Sequence, residues 1–144
     1  MNSPLIHFIA RLLFTPILLC GIAVLIKGYG QTGGGFSGGL IAALGVMLQY
    51  AVFGRETVER RLPINGRIAF LAAVIGLLLM LSMTFLPLYW DKPPLSHWPP
   101  PGAELLHLGA LELHTALVFE TGIFLVVFGF VVTVLHVVVG GEAP

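Results

Sequence analysis

Charge is scarce in this sequence. Asp, Glu, Lys and Arg make up 10% of the 144 residues, against about 25% in soluble globular chains. With 57% hydrophobic residues, the chain has too few polar side chains to clothe a water-soluble fold. The seven basic and seven acidic residues cancel, so no basic surface is available for nucleic acid. Cysteine occurs once, at Cys20, which excludes an internal disulfide and any cysteine-based metal cluster. Leu19, not a small residue, precedes it, so it is not read as a lipoprotein cleavage site. No positive leader precedes the first apolar run, and no cleaved signal peptide is read there. Catalytic signatures are missing as well: no nucleophile elbow, phosphate-binding loop or histidine–carboxylate metal cluster is present, and neither cofactor nor metal is expected. Residues 1–144 read as a single domain.

What is abundant is apolar sequence, in runs long enough to cross a bilayer. A hydrocarbon core of roughly 30 Å needs about 20 apolar residues in helix. Four stretches qualify, at about 4–26, 35–53, 68–86 and 113–139. A barrel would require many short alternating strands, so the expected fold is an all-α integral membrane protein with four transmembrane helices. The few basic residues set its orientation. Arg55, Arg60, Arg61 and Arg67 fall in loop 54–67, whereas the opposite connections, 27–34 and 87–112, hold only Lys27 and Lys92. Excess Lys and Arg mark the cytoplasmic side, which places loop 54–67 and both termini inside and the other two loops outside. Within the inner loop, Arg55 with Glu59 and Glu56 with Arg60 have i,i+4 spacing, before Pro63 and Asn65-Gly66 turn the chain back. The outer loop 87–112 is proline-rich, with Tyr89, Trp90 and Trp98 as interfacial anchors. It reads as a stiff segment lying across the outer helix ends. His97 and His107, without further ligand-type residues at metal spacing, read as interfacial or solvent histidines.

The stretch Gly28–Leu40, GYGQTGGGFSGGL, carries seven of the 18 glycines. From Gly34 onward its small residues recur every four positions: Gly34 with Gly38, Gly35 with Gly39, then Ala42, Ala43 and Gly45. Small residues at that spacing let helix backbones approach closely in lipid, where no hydrophobic drive pushes them together. Gly33, Gly34, Gly35, Phe36, Gly38 and Gly39, together with Gly122 and Gly129 of the last helix, are the expected subunit-packing residues. Gly122 and Gly129 belong to a seven-residue stripe, Thr115, Gly122, Gly129 and His136.

Ionisable groups inside an apolar helix are costly, so they are candidates for function. His7, Arg11 and Thr15 share one face of the first helix, which Pro16 is placed to kink. Arg11 is read chiefly as reaching the inner interface to bind a lipid phosphate or a partner's carboxylate, with conduction as the second reading. In the last helix Glu112 and Glu120 lie eight apart on one face, with Glu120 about 10 Å deeper. Arg11 and Glu120 come out about 10 Å apart in depth, so each is expected to find its counterpart on another polypeptide. Glu120, Glu112, Arg11 and His7 are the candidate ion or proton path residues. Four helices with so little polar lining make a poor channel by themselves.

The glycine run, the later Leu62-Pro63-Ile64-Asn65 and the segment ELHTALVFETGIFLVVFG resemble the MnhB-like membrane protein family, small subunits of multi-subunit cation/proton antiporters of the Mrp (Mnh, Pha) type. The resemblance covers nearly the whole chain. The family pattern is close to GHxxPGGGFxGGL, and Tyr29 and Thr32 stand where histidine and proline are usual. Glu120 matches an acidic position of the family's fourth helix. The resemblance implies an accessory subunit in a bacterial plasma-membrane complex exchanging Na⁺ for H⁺, surrounded by large pump-like subunits, small membrane subunits and lipid. Related modules in membrane-bound hydrogenases make a redox-driven ion pump the alternative.

Overall fold

The computed structural model describes residues 3–28, 34–62, 64–96, 106–108, 111–113 and 115–140. Its helices are α1 (Pro4–Lys27), α2 (Gly34–Phe53), the short α3 (Arg55–Arg61), α4 (Gly66–Phe85) and α5 (Thr115–Val138). Four of these, with α4 extended by a 3-10 turn to Trp90, are long and apolar enough to cross a membrane. Proline stands in the first turn of α1, where its missing N–H costs nothing. The helix also runs on through Pro16, so the lost hydrogen bond to the Leu12 carbonyl does not end it. Gly54, at φ 73°, takes a positive-φ extended conformation open to glycine, which separates α2 from α3. The Asn65 side chain accepts from the Ile68 N–H at 2.9 Å and caps α4.

The helices stand in a row that departs from chain order. α1 packs on α2, α2 on α5, and α5 on α4. α2 and α5 therefore form the centre, and α1 and α4 the flanks. The innermost cluster joins Ala43, Val46 and Tyr50 of α2 to Val58 of α3, Ala69 of α4 and Val132 of α5. On the flanks large apolar side chains point away from the bundle, among them Leu5, Phe8 and Leu12 of α1 and Leu71, Ile75 and Leu78 of α4.

Glycine makes each of the three contacts close. Between α1 and α2, a Cβ on Gly38 would meet the Gly21 carbonyl at 2.5 Å, and one on Gly21 would meet the Gly38 carbonyl at 2.8 Å. Between α2 and α5, a Cβ on Gly39 would meet the Phe124 carbonyl at 2.8 Å. Between α5 and α4, Gly122 and Gly76 face each other, and Gly129 lies against Ala69 and Ala73. Gly34, Gly35, Gly38, Gly39, Gly122 and Gly129 are all buried within this chain. Within this chain the protein's own neighbouring helices fill these seams. Phe36 does face outward, 56% exposed, and Gly33 lies outside the described residues.

The connection after α4 is described to residue 96, and the middle of the expected stiff strap, with His97, Trp98 and Pro99 to Pro101, lies outside the described residues. A 3-10 turn, Leu86–Trp90, is followed by a tight bend with Asp91 and Leu95 at positive φ. The Leu95 N–H donates back to the Thr84 carbonyl at 3.4 Å. Farther on, Leu106–Leu108 and Leu111–Leu113 pair as a small antiparallel hairpin, with His107 opposite Glu112. Glu112 is therefore in a strand, and α5 begins at Thr115. The expected shared helix face of Glu112 and Glu120 does not exist, because the Leu-His-Leu and Leu-Glu-Leu segments alternate with the period of a strand.

Candidate functional site

Glu120 sits in the second turn of α5, beside the first turn of α2. Its Oε2 accepts a hydrogen bond from the Gly35 N–H at 2.5 Å. The first N–H groups of any helix lack intrahelical partners, and that end carries partial positive charge. A carboxylate placed there satisfies a donor and meets the favourable end of the dipole, together worth about 1.5–3 kcal/mol. The absence of a Cβ on Gly35 permits the approach, since one would fall 2.7 Å from Oε2. Glu120 thus has a hydrogen-bond partner inside the chain, on backbone. Gly28 and Gly34 abut at the same end, closing the turn from α1 to α2.

The opposite end holds Arg11 and His7. Both lie on the ring of Phe53, the last residue of α2: the Arg11 guanidinium is 5.4 Å from the ring centroid and the His7 ring 5.1 Å. Arg61 of α3 approaches the same ring at 5.5 Å. His7 Nδ1 is 3.1 Å from the Ser3 carbonyl. The Arg11 guanidinium is therefore level with the end of α2 and its backbone with Gln49, while Glu120 is level with the beginning of α2. From Gly35 to Gln49 the helix rises about 21 Å, so the two backbones are farther apart in depth than the expected 10 Å. Counting depth along α1 alone misplaces Arg11, because α1 begins beyond the end of α2. Just inside, the buried Gln49 amide donates to the Ala10 carbonyl at 2.8 Å and ties α1 to α2.

A third group, not evident in the sequence as a unit, fastens α3 to α5. Arg55 and Glu59 form the expected i,i+4 pair at 2.7 Å. The same carboxylate oxygen is 3.1 Å from Nδ1 of His136, a residue buried to 7% exposure. Arg55 also donates to the Gly140 carbonyl. The Tyr50 hydroxyl is buried nearby without a hydrogen-bond partner. His136 already stands out in the sequence on the α5 stripe, and its ring lies against Gly66 at the start of α4. No group of three or more His, Cys, Asp or Glu that could hold a metal occurs among the described residues.

Charge thus gathers at both ends of the bundle, and glycine packs its middle. A family profile described as "Domain related to MnhB subunit of Na+/H+ antiporter" matches residues 5–133. The chain belongs to the MnhB-related family. Two relatives, both named "Putative antiporter subunit mnhB2", from Staphylococcus aureus strains Newman and JH1, are each 32% identical over 142 residues. The match covers 99% of this chain and 98% of each relative. Among solved structures, a chain of the Mrp complex from Dietzia sp. DQ12-45-1b superposes with a TM-score of 0.68 at 25% identity. The match takes in 99% of the present MnhB-related chain and 15% of the Dietzia chain. The MnhB-type fold is therefore found embedded in a much longer polypeptide as well as in chains of its own length.

Proposed function

We propose that this protein is an accessory subunit of a multi-subunit Na⁺/H⁺ antiporter in the bacterial cell membrane. The observation carrying this reading is the family match over residues 5–133, supported by relatives of equal length named as antiporter subunits and by the likeness to part of an Mrp complex. The relatives' names favour the antiporter over the redox-driven alternative.

In this reading the subunit is a scaffold. Among the described residues the buried polar side chains are Gln49 and His136, with the hydroxyl of Tyr50, and they give no continuous polar line through the bundle. Glu120 anchors α2 on α5. His7 and Arg11 stand at one end and the Glu112 strand follows the long connection, so the described residues by themselves line no path for ions. The outward apolar side chains of α1 and α4 suit contact with lipid and with neighbouring subunits. Arg11, Arg55, Arg61 and both described chain ends gather at the α3 end, while Lys27 closes α1 at the other. That asymmetry supports a cytoplasmic α3 and cytoplasmic termini.

Affinity purification of the tagged chain in mild detergent tests the proposal. Large membrane subunits should co-purify, and deleting the chain should abolish Na⁺-dependent dissipation of a proton gradient in everted vesicles. A lone protein that exchanges cations fully in pure lipid vesicles would refute it.

A further inference from the structure

We infer that Arg11 and Arg61, set around Phe53, form a binding site for the phosphate headgroup of an anionic phospholipid. The inference rests on the membrane placement proposed above. A cavity of about 160 Å³ opens between α1, the end of α2 and α3, where Arg11 and Arg61 meet the apolar Phe14, Phe53, Val58 and Leu62 and the polar Gln49 and Thr57. Both guanidiniums approach one ring, at 5.4 and 5.5 Å from its centroid. An aromatic face holds a cation in place but leaves the N–H edge of the guanidinium free to donate. Neither arginine has an ion-pair partner among the described residues, and no acidic side chain lines the cavity. The nearby carboxylate of Glu59 is engaged by Arg55 and His136.

Two like charges held around one ring repel, and an anion bridging them removes that cost. Arginine suits phosphate because its planar fork donates to two oxygens at once. The surroundings select a lipid over a soluble anion. Apart from Gln49 and Thr57 the side chains lining the cavity beside the two arginines are apolar, and α1, which contributes Arg11 and Phe14, carries on its outer flank Leu5, Phe8 and Leu12, 63%, 65% and 63% exposed. A headgroup can sit at the arginines while its acyl chains run along that flank. Basic pockets between helices at the cytoplasmic surface take anionic lipids on this principle, each Arg or Lys near the surface adding about 1 kcal/mol.

The test is native mass spectrometry of the chain, alone and in its complex, extracted in mild detergent and equilibrated with dioleoylphosphatidylglycerol or dioleoylphosphatidylcholine. The wild type should retain phosphatidylglycerol preferentially. Arg11→Gln and Arg61→Gln should each weaken retention about fivefold, and the double variant should abolish the preference. Arg60→Gln, one residue away, should leave it intact. Arg11→Lys/Arg61→Lys retains charge and should keep most of the preference, which guards against a folding defect in the glutamine variants. Equal retention of the two lipids by the wild type would overturn the inference. So would displacement by millimolar inorganic phosphate, or crosslinking from position 61 to a protein subunit in place of lipid. The readout on the isolated chain does not depend on antiport, so its failure is separable from failure of the proposed function.

Discussion

The contact between Gly21 and Gly38 offers a sharp test of how the first two helices are held. A Cβ on Gly38 would stand 2.5 Å from the Gly21 carbonyl, 3.2 Å from the Leu25 nitrogen and 3.3 Å from Phe124 Cδ2. The first obstacle is backbone, which cannot rotate away as a side chain can. Gly38→Ala therefore requires α1 to move off α2 until that gap reaches ordinary contact. Overpacking of this kind costs about 1–3 kcal/mol. Against it, alanine is favoured over glycine within a helix by about 0.5–1 kcal/mol. The steric cost wins, and the net destabilisation should be about 1–2 kcal/mol. Gly21→Ala meets the same obstacle from the other side, with the Gly38 carbonyl at 2.8 Å and Ala42 Cβ at 3.3 Å. One opening of the helix pair accommodates both methyl groups. The double variant should consequently cost less than the two singles together, by at least about 0.5 kcal/mol. Titrating the purified chain with SDS in mixed micelles, with helix loss followed by circular dichroism, reads these differences. A neutral or stabilising Gly38→Ala, or strictly additive costs, would refute the close-contact account.

Other outcomes follow from single contacts. Glu120→Gln keeps an acceptor for the Gly35 N–H but removes the charge and should cost about 1 kcal/mol; Glu120→Ala removes both and should cost about 2–3 kcal/mol, measured by the same titration. Equal losses would mean that the carboxylate does not act through the start of α2. Asn65→Ala removes the cap of α4 and should cost about 1 kcal/mol, whereas Asn65→Ser should recover most of it. Gly129→Leu forces α5 away from Ala69 and Ala73 and should reduce recovery of intact complex on size-exclusion chromatography; undiminished recovery would count against the α4–α5 seam. Glu59→Gln loosens the Arg55 pair within α3 and the contact of α3 with His136 of α5, and amide exchange across residues 55–61 should rise relative to α2.

Much of this bundle is legible in the residues. Length and hydropathy pick out the four spans, and four-residue spacing of Gly34, Gly35, Gly38 and Gly39 announces that backbones meet there. Periodicity does not say which helices meet. All four spans are apolar nearly all round, so no polar face points outward and no apolar face points inward. The order of the row, with α5 between α2 and α4, leaves no signal in the residues. Glu120 illustrates the same gap: counting along one helix gives its depth, but its partner is a backbone group 85 residues earlier. Arg11 is misplaced by the same counting because α1 starts beyond the end of α2, an offset that only the neighbouring helix reveals. The hairpin carries a short-range cue, Leu-His-Leu and Leu-Glu-Leu separated by two residues that include a glycine. The prolines upstream point to stiffness instead and mask it.

The row order bears on how the protein is made. α1 and α2 leave the ribosome in sequence and can pair at once. α4 emerges with its seam of Gly66, Ala69, Ala73 and Gly76 facing a helix not yet synthesised. The chain must hold that segment in the bilayer until its final span arrives and slots in beside it. Loss of α5 would strip α2 and α4 of their common neighbour, so truncations from the carboxyl end should be degraded far faster than those that trim the amino end.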